Sequence, residues 1–138
     1  MGERYKRHSN GGPVVYGGLI MYQLPNITDD TKQRLTLVLP DGVNTATLEL
    51  RYSSINKSWF LDLEYQTTEI KGRRVFASPN LLHQWKNILP FGLACYVLDG
   101  SEPYLADDFL SGRCGLLLLT QDEVARYTSL LGEAKSTA

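Results

Sequence analysis

From residue 34 onward the chain is dominated by alternation of apolar and polar positions. Leu35, Leu37 and Leu39 alternate with Arg34, Thr36 and Val38, and Pro40-Asp41-Gly42 then supplies turn chemistry. Leu48, Leu50 and Tyr52 alternate with Thr47, Glu49 and Arg51. After residues 53–57, Trp59, Leu61, Leu63 and Tyr65 alternate with Phe60, Asp62 and Glu64. A period of two gives each segment one apolar face, the pattern of a half-buried strand. Short connections favour antiparallel neighbours, so residues 34–65 read as a three-stranded meander, with residues 69–76 as a fourth strand.

The period then changes. Leu81, Leu82, Trp85, Ile88 and Leu89 recur at helical spacing, Ser78 or Asn80 can cap the first turn, and Pro90 with Gly92 ends it. Residues 93–98 return to strand, residues 102–112 show no period, and residues 115–120 form a wholly apolar strand. Thr120-Gln-Asp-Glu123 matches a capping box, and Val124, Tyr127, Leu130 and Leu131 continue it as a short amphipathic helix. The first twenty residues stand apart. Arg4, Lys6, Arg7 and His8 oppose Glu3, and Asn10-Gly11-Gly12-Pro13 and Gly17-Gly18 follow, a density of Gly and Pro that predicts no packed element. Regular patterning begins at Met21.

The expected organisation is an extended arm over residues 1–20, a β-domain over 21–120, and a short C-terminal helix with a polar tail over 121–138. The expected fold is mainly β, about six or seven strands in a small antiparallel β-barrel or sandwich with one or two short helices. A polar arm has little reason to order by itself, so it is expected to lie against a neighbouring subunit.

Composition narrows the function. The 138 residues are 43% hydrophobic and 21% charged with a formal net charge of −1, which fits one folded domain and not a disordered segment. A nucleic-acid partner is not expected, because displacing counterions from phosphates needs a basic surface. No membrane partner is expected either, since the apolar runs fall far short of the ~20 residues that span a bilayer. The basic leader lacks the apolar core and cleavage site of a secretory signal.

Candidate chemistry is sparse. Cys95 and Cys114 sit in apolar stretches and read as small buried hydrophobes, while His8 and His83 are scattered, so no metal site is expected. Asp62 and Glu64 share the polar face of a strand, where solvation or cross-strand pairing is the default. Asp107 and Asp108 are adjacent in a loop, and adjacent side chains seldom aim at one substrate atom. No serine stands in a Gly-x-Ser-x-Gly elbow, and no glycine loop has phosphate-binding spacing. The residues therefore predict no catalytic, cofactor-binding or metal-ligating group and no enzyme. Trp59 is in phase with Leu61 and Leu63, and Trp85 with Leu81, Leu82 and Ile88, so Trp59, Leu61, Leu63 and Trp85 are the expected core anchors. Tyr5, Tyr16 and Tyr22, in or beside the arm, are the interface candidates, because tyrosine is favoured at interfaces. Arg73 and Arg74 join them as a basic cluster able to meet an acidic partner, although a solvated turn is its ordinary reading.

The ordered features make a pattern larger than any one of them. They run from Gln33-Arg-Leu-Thr-Leu-Val-Leu39 and Leu48-Glu-Leu-Arg-Tyr52 to the box Asn56-Lys-Ser-Trp-Phe-Leu-Asp-Leu63. Leu81-Leu82, Pro90-Phe-Gly-Leu93, Asp99-Gly100, Glu102-Pro103-Tyr104, Asp107-Asp108-Phe-Leu110 and the strand from Gly115 to Leu119 follow. Over residues 22–120 the chain resembles the baseplate plug family of contractile-tailed bacteriophages, a ripcord-like tail component. The resemblance implies a structural β-barrel adaptor of the virion's tail baseplate, assembled in the host cytoplasm. It implies several copies in a ring, joining and sealing the tail tube to the central hub and spike, with no active site or cofactor. The implied partners are copies of itself, the tail tube protein, and hub and spike proteins. The leader and the segment after Thr120 depart from the minimal family pattern, and Ser78-Pro79-Asn80 stands where the family often has a glycine. The residues without the resemblance leave a small carbohydrate-binding or cell-recognition β-module as the alternative.

Overall fold

The structure, a computed structural model, describes the backbone of residues 5–7 and 12–137 and the side chains of residues 12–132. Among these residues there are nine strands: β1 (Tyr5–Arg7), β2 (Gly12–Tyr16), β3 (Leu19–Gln23), β4 (Lys32–Val38), β5 (Thr45–Ser53), β6 (Ser58–Tyr65), β7 (Thr68–Arg74), β8 (Phe91–Val97) and β9 (Cys114–Thr120). Helix α1 (Gln121–Thr137) follows. Two antiparallel sheets result, one in the order β1-β2-β3-β9-β8 and one in the order β4-β5-β6-β7. They stack without joining into a closed barrel, so the sandwich is the form the fold takes.

The alternating segments become the four-stranded meander. Its register aligns Leu35 with Leu48 and Leu63, Leu50 with Leu61, and Tyr52 with Trp59 on one face. That face packs on Phe91, Leu93, Cys95 and Leu116 of the five-stranded sheet to form the main core. The opposite face of the five-stranded sheet carries Met21, Ala94, Tyr96, Leu117 and Leu119, which pack beneath Tyr127 of α1. Strands β8 and β9 therefore bury both faces, which is why they read as unbroken apolar runs. At the start of α1, the Thr120 N–H donates to Glu123 Oε1 at 2.9 Å, and the Glu123 N–H donates to Thr120 Oγ1 at 3.0 Å. The capping box is formed as expected, but the helix runs on to Thr137 through residues expected as a polar tail.

Two further expectations are corrected. Residues 12–20, assigned to an extended arm, are built into the five-stranded sheet as β2 and the first part of β3. Gly17 and Gly18, at φ 56° and 84°, make the tight turn between them. The glycines that argued against packing are what lets the hairpin close, and Val14 and Tyr16 then reach the core under α1. The helix expected over residues 81–89 is only a one-turn 3-10 helix, His83–Trp85. The Leu81 N–H donates to the Leu93 carbonyl at 2.7 Å, and the Leu81 carbonyl accepts from Arg73 Nε at 3.0 Å. With that backbone committed to the sheet edge and Pro90 ahead, too little chain is left for an α-helix.

Candidate assembly surfaces

The edges of the two sheets differ in what remains of their hydrogen-bonding capacity. The outer edge of β8 is occupied. Ser78 and Cys95 exchange N–H···O bonds of 3.0 and 2.9 Å, and Asn80 Oδ1 accepts from the N–H groups of Leu82 and Leu93 at 3.0 and 3.1 Å. The outer edge of β4 has no strand beside it among the described residues. Its free groups can be assigned by parity. Leu39 donates to the Asn44 carbonyl and Tyr52 to the Thr31 carbonyl, so the odd-numbered residues of β4 bond to β5. In an antiparallel pair the bonded positions alternate, so the N–H and C=O groups of Arg34, Thr36 and Val38 point away from the sheet. Such an edge is a template for another strand.

Beside this edge lies a groove of about 880 Å³ between β4 and the segment from Tyr22 to Asn26, closed at the far side by Leu118, Thr120 and Glu123. It exists because the five-stranded sheet is the wider of the two. Tyr22 pairs with Leu118 and so lies on the side of its sheet that faces the meander, but it is 65% exposed because the meander ends at β4. Ile20, two residues earlier on the same side, is also exposed. Val38 is exposed at the groove's other wall, and Lys32 and Arg34 have no ion-pair partner among the described residues.

A second surface comes from the irregular loop before β9. Asp108, 1% exposed, accepts hydrogen bonds from the backbone N–H groups of Tyr104 and Leu105, both at 2.8 Å. Its carboxylate also takes Arg113 Nε at 2.9 Å and Nη2 at 2.6 Å. Arg113 further donates to Asp99 at 2.6 Å and to the carbonyls of Ser101 and Glu102. Burial works against ionisation of Asp108, yet the Arg113 and backbone hydrogen bonds outweigh it and hold the carboxyl below the usual carboxylate range. The Tyr104 carbonyl accepts from the Tyr52 hydroxyl at 2.7 Å, and the Leu105 carbonyl from the Trp59 indole at 3.0 Å. This framework presents Tyr104, Leu105 and Leu110 to solvent as an apolar knob, with Asp107 exposed beside them.

The outer face of the meander is charged in rows. Lys32, Arg51, Phe60 and Arg74 align across the four strands, Arg34, Glu49 and Asp62 form the next row, and Thr36, Thr47, Glu64 and Glu69 the last but one beyond it. Asp62 is paired, accepting from Arg51 at 2.8 Å and from the Gly72 N–H at 2.7 Å. Neither it nor Asp108 is a free carboxylate poised for proton transfer.

The anchors and interface candidates fall in distinct places. Trp59, Leu61 and Leu63 are buried in the main core, and Trp85 packs against its edge, half-buried. Tyr16 is buried against Tyr127, ring centroids 5.6 Å apart, and so is not available to another subunit. Tyr22 lines the open groove. The side chain of Tyr5 lies outside the described residues. Arg73 ties β7 to Leu81 and stacks over Phe76 at 5.3 Å, whereas Arg74 is exposed. Burial pushes the Cys95 thiol well above its usual range and that of Cys114 up to about 12. Among the described residues no group of three His, Cys, Asp or Glu is placed to hold a metal ion. The knob and the free edge escaped the sequence reading. The knob's one signal was the lack of any period in residues 102–112 despite their apolar content, and the edge had none.

The described residues thus form a stacked β-sandwich with one helix-covered face, an open sheet edge and a braced, exposed apolar loop. The model of the family described as cyanophage baseplate plug gp18 of Pam3 matches residues 21–121, nearly three quarters of the chain. The chain belongs to this family, and its place is accordingly the baseplate of the phage tail. No curated protein matches it.

Proposed function

We propose that this chain is a non-enzymatic structural subunit, present in several copies, that joins the tail tube to the central hub and spike and seals that junction. The observation that carries the reading is the free β4 edge beside an open groove, on a member of a baseplate plug family. An open edge extends a neighbour's sheet, and a groove next to it takes the neighbour's side chains. Near-neutral charge keeps identical copies from repelling one another strongly. In this reading the subunit assembles in the host cytoplasm. The carbohydrate-binding alternative has lost its best platform, because Trp59 is fully buried. Locating the chain in a reconstruction of intact particles tests the proposal. Density ringing the tube axis at the tube–hub junction is expected, and density confined to the baseplate periphery would overturn it.

A further inference from the structure

The loop from residue 99 to 113 is braced more firmly than an exposed loop needs for its own sake. A nearly buried Asp108, a five-bond arginine and hydrogen bonds from Tyr52 and Trp59 all serve to fix a tip whose side chains face water. Fixing apolar side chains before contact removes the ordering cost of binding, which is how interface anchors gain affinity. The groove at β4 is its counterpart in two respects. Its floor is formed by Leu24, Leu35, Leu37, Leu39 and Leu118, and polar side chains including Arg34, Thr36 and Glu123 stand around them. Beside it stand Lys32 and Arg34, cations that make no ion pair with any described residue, whereas the knob carries the exposed Asp107, also without an ion pair among the described residues.

We propose that the Tyr104–Leu105–Leu110 knob of one copy docks in the Tyr22–Val38 groove of the next copy, with Asp107 meeting Arg34 or Lys32. Knob and groove are different surfaces, so each copy uses one to grip and the other to be gripped. Such a head-to-tail contact closes a ring when the rotation between copies allows it. The inference rests on the multi-copy reading above and names the surfaces by which copies meet.

Two variants of the full chain test it, Leu105→Glu in the knob and Val38→Glu in the groove, both at exposed positions. Light scattering after size exclusion at about 100 µM, well above the Kd of a specific interface, reads the assembly state. The wild-type chain is expected to associate, and each variant alone to lose at least about tenfold in self-affinity, as for loss of an interface anchor. The mixture decides the geometry. Leu105→Glu keeps an intact groove and Val38→Glu an intact knob, so together they should form a one-to-one dimer that neither forms alone. Should Leu105→Glu unfold, Asp107→Lys repeats the knob arm, and Arg34→Glu combined with it should restore association. A monomeric wild-type chain, a variant that associates as wild type, or a mixture that stays monomeric overturns the contact. These outcomes leave the tube–hub location standing, since that is read from particles; a chain absent from the junction sinks that location whatever its self-association.

Discussion

Arg113 grips Asp108 through two parallel hydrogen bonds, Nε to Oδ1 at 2.9 Å and Nη2 to Oδ2 at 2.6 Å, and stacks its guanidinium 5.0 Å from the Tyr104 ring. A carboxylate in a loop invites a catalytic reading. Here both of its oxygens are already spent on holding the chain that carries Tyr104 and Leu105. The pair converts a segment without secondary structure into a fixed surface.

Removing that carboxylate should be costly. Asp108→Ala leaves Arg113 with Asp99 and two carbonyls, so the loss should fall near the lower end for a broken buried pair, about 3 kcal/mol by denaturant unfolding. Asp108 titrates below its ordinary 3.8 in the folded chain, so its contribution is present above the unfolded value and is lost as pH falls through the folded one. Stability should therefore drop below about pH 4, and Asp108→Asn should flatten that acid limb.

Trp59→Ala distinguishes a core residue from a binding platform. The side chain is wholly buried, edge-on to Phe109 at 5.4 Å, and its indole holds the Leu105 carbonyl. Truncation should cost about 3–5 kcal/mol in a denaturation experiment. A stable variant that had merely lost sugar binding would restore the alternative.

Gly115 lies directly under Tyr96, and a methyl group there would collide with the ring. The tyrosine is also held by its hydroxyl, which donates to Gln23 Oε1 at 2.9 Å. Gly115→Ala should destabilise by about 1–3 kcal/mol, the ordinary cost of overpacking, with the Tyr96 environment changed in near-ultraviolet circular dichroism.

Thr120→Ala removes one half of the capping box. The expected loss is about 1 kcal/mol, visible as a lower melting temperature with helix content nearly unchanged. A larger loss would mean that Thr120 also supports the end of β9.

The two thiols should be inert in the native chain. Both are buried and both titrate far above neutrality, so an aromatic disulfide reagent at pH 8 should react only at the rate of unfolding. Fast labelling of either would show the sandwich opening locally near β8 or β9.

Legibility followed the range of the signal. The meander was readable because each of its strands carries its own period of two, and neighbours in sequence are neighbours in the sheet. Residues 81–89 misled because Leu81, Leu82, Trp85 and Leu89 obey a helical spacing that the bonds from Leu81 to Leu93 and from Arg73 to Leu81, with Pro90 ahead, override. The glycine-rich start misled for a related reason. Val14, Tyr16, Leu19 and Met21 alternate well enough to make a hairpin, but their partners are β9 and α1, about a hundred residues away.

The sequence by itself determined the sheet of Leu48, Leu61 and Leu63, the depth of Trp59 and the cap at Thr120, because these depend on periodicity and short-range hydrogen bonds. Only the tertiary structure decided that Tyr16 is covered while Tyr22 is open, that β4 has a free edge, and that Asp108 is a brace. Tyr16 is covered by α1, Tyr22 and the β4 edge are open because the meander ends there, and Asp108 braces because the loop folds around it, relations in space that no local period encodes.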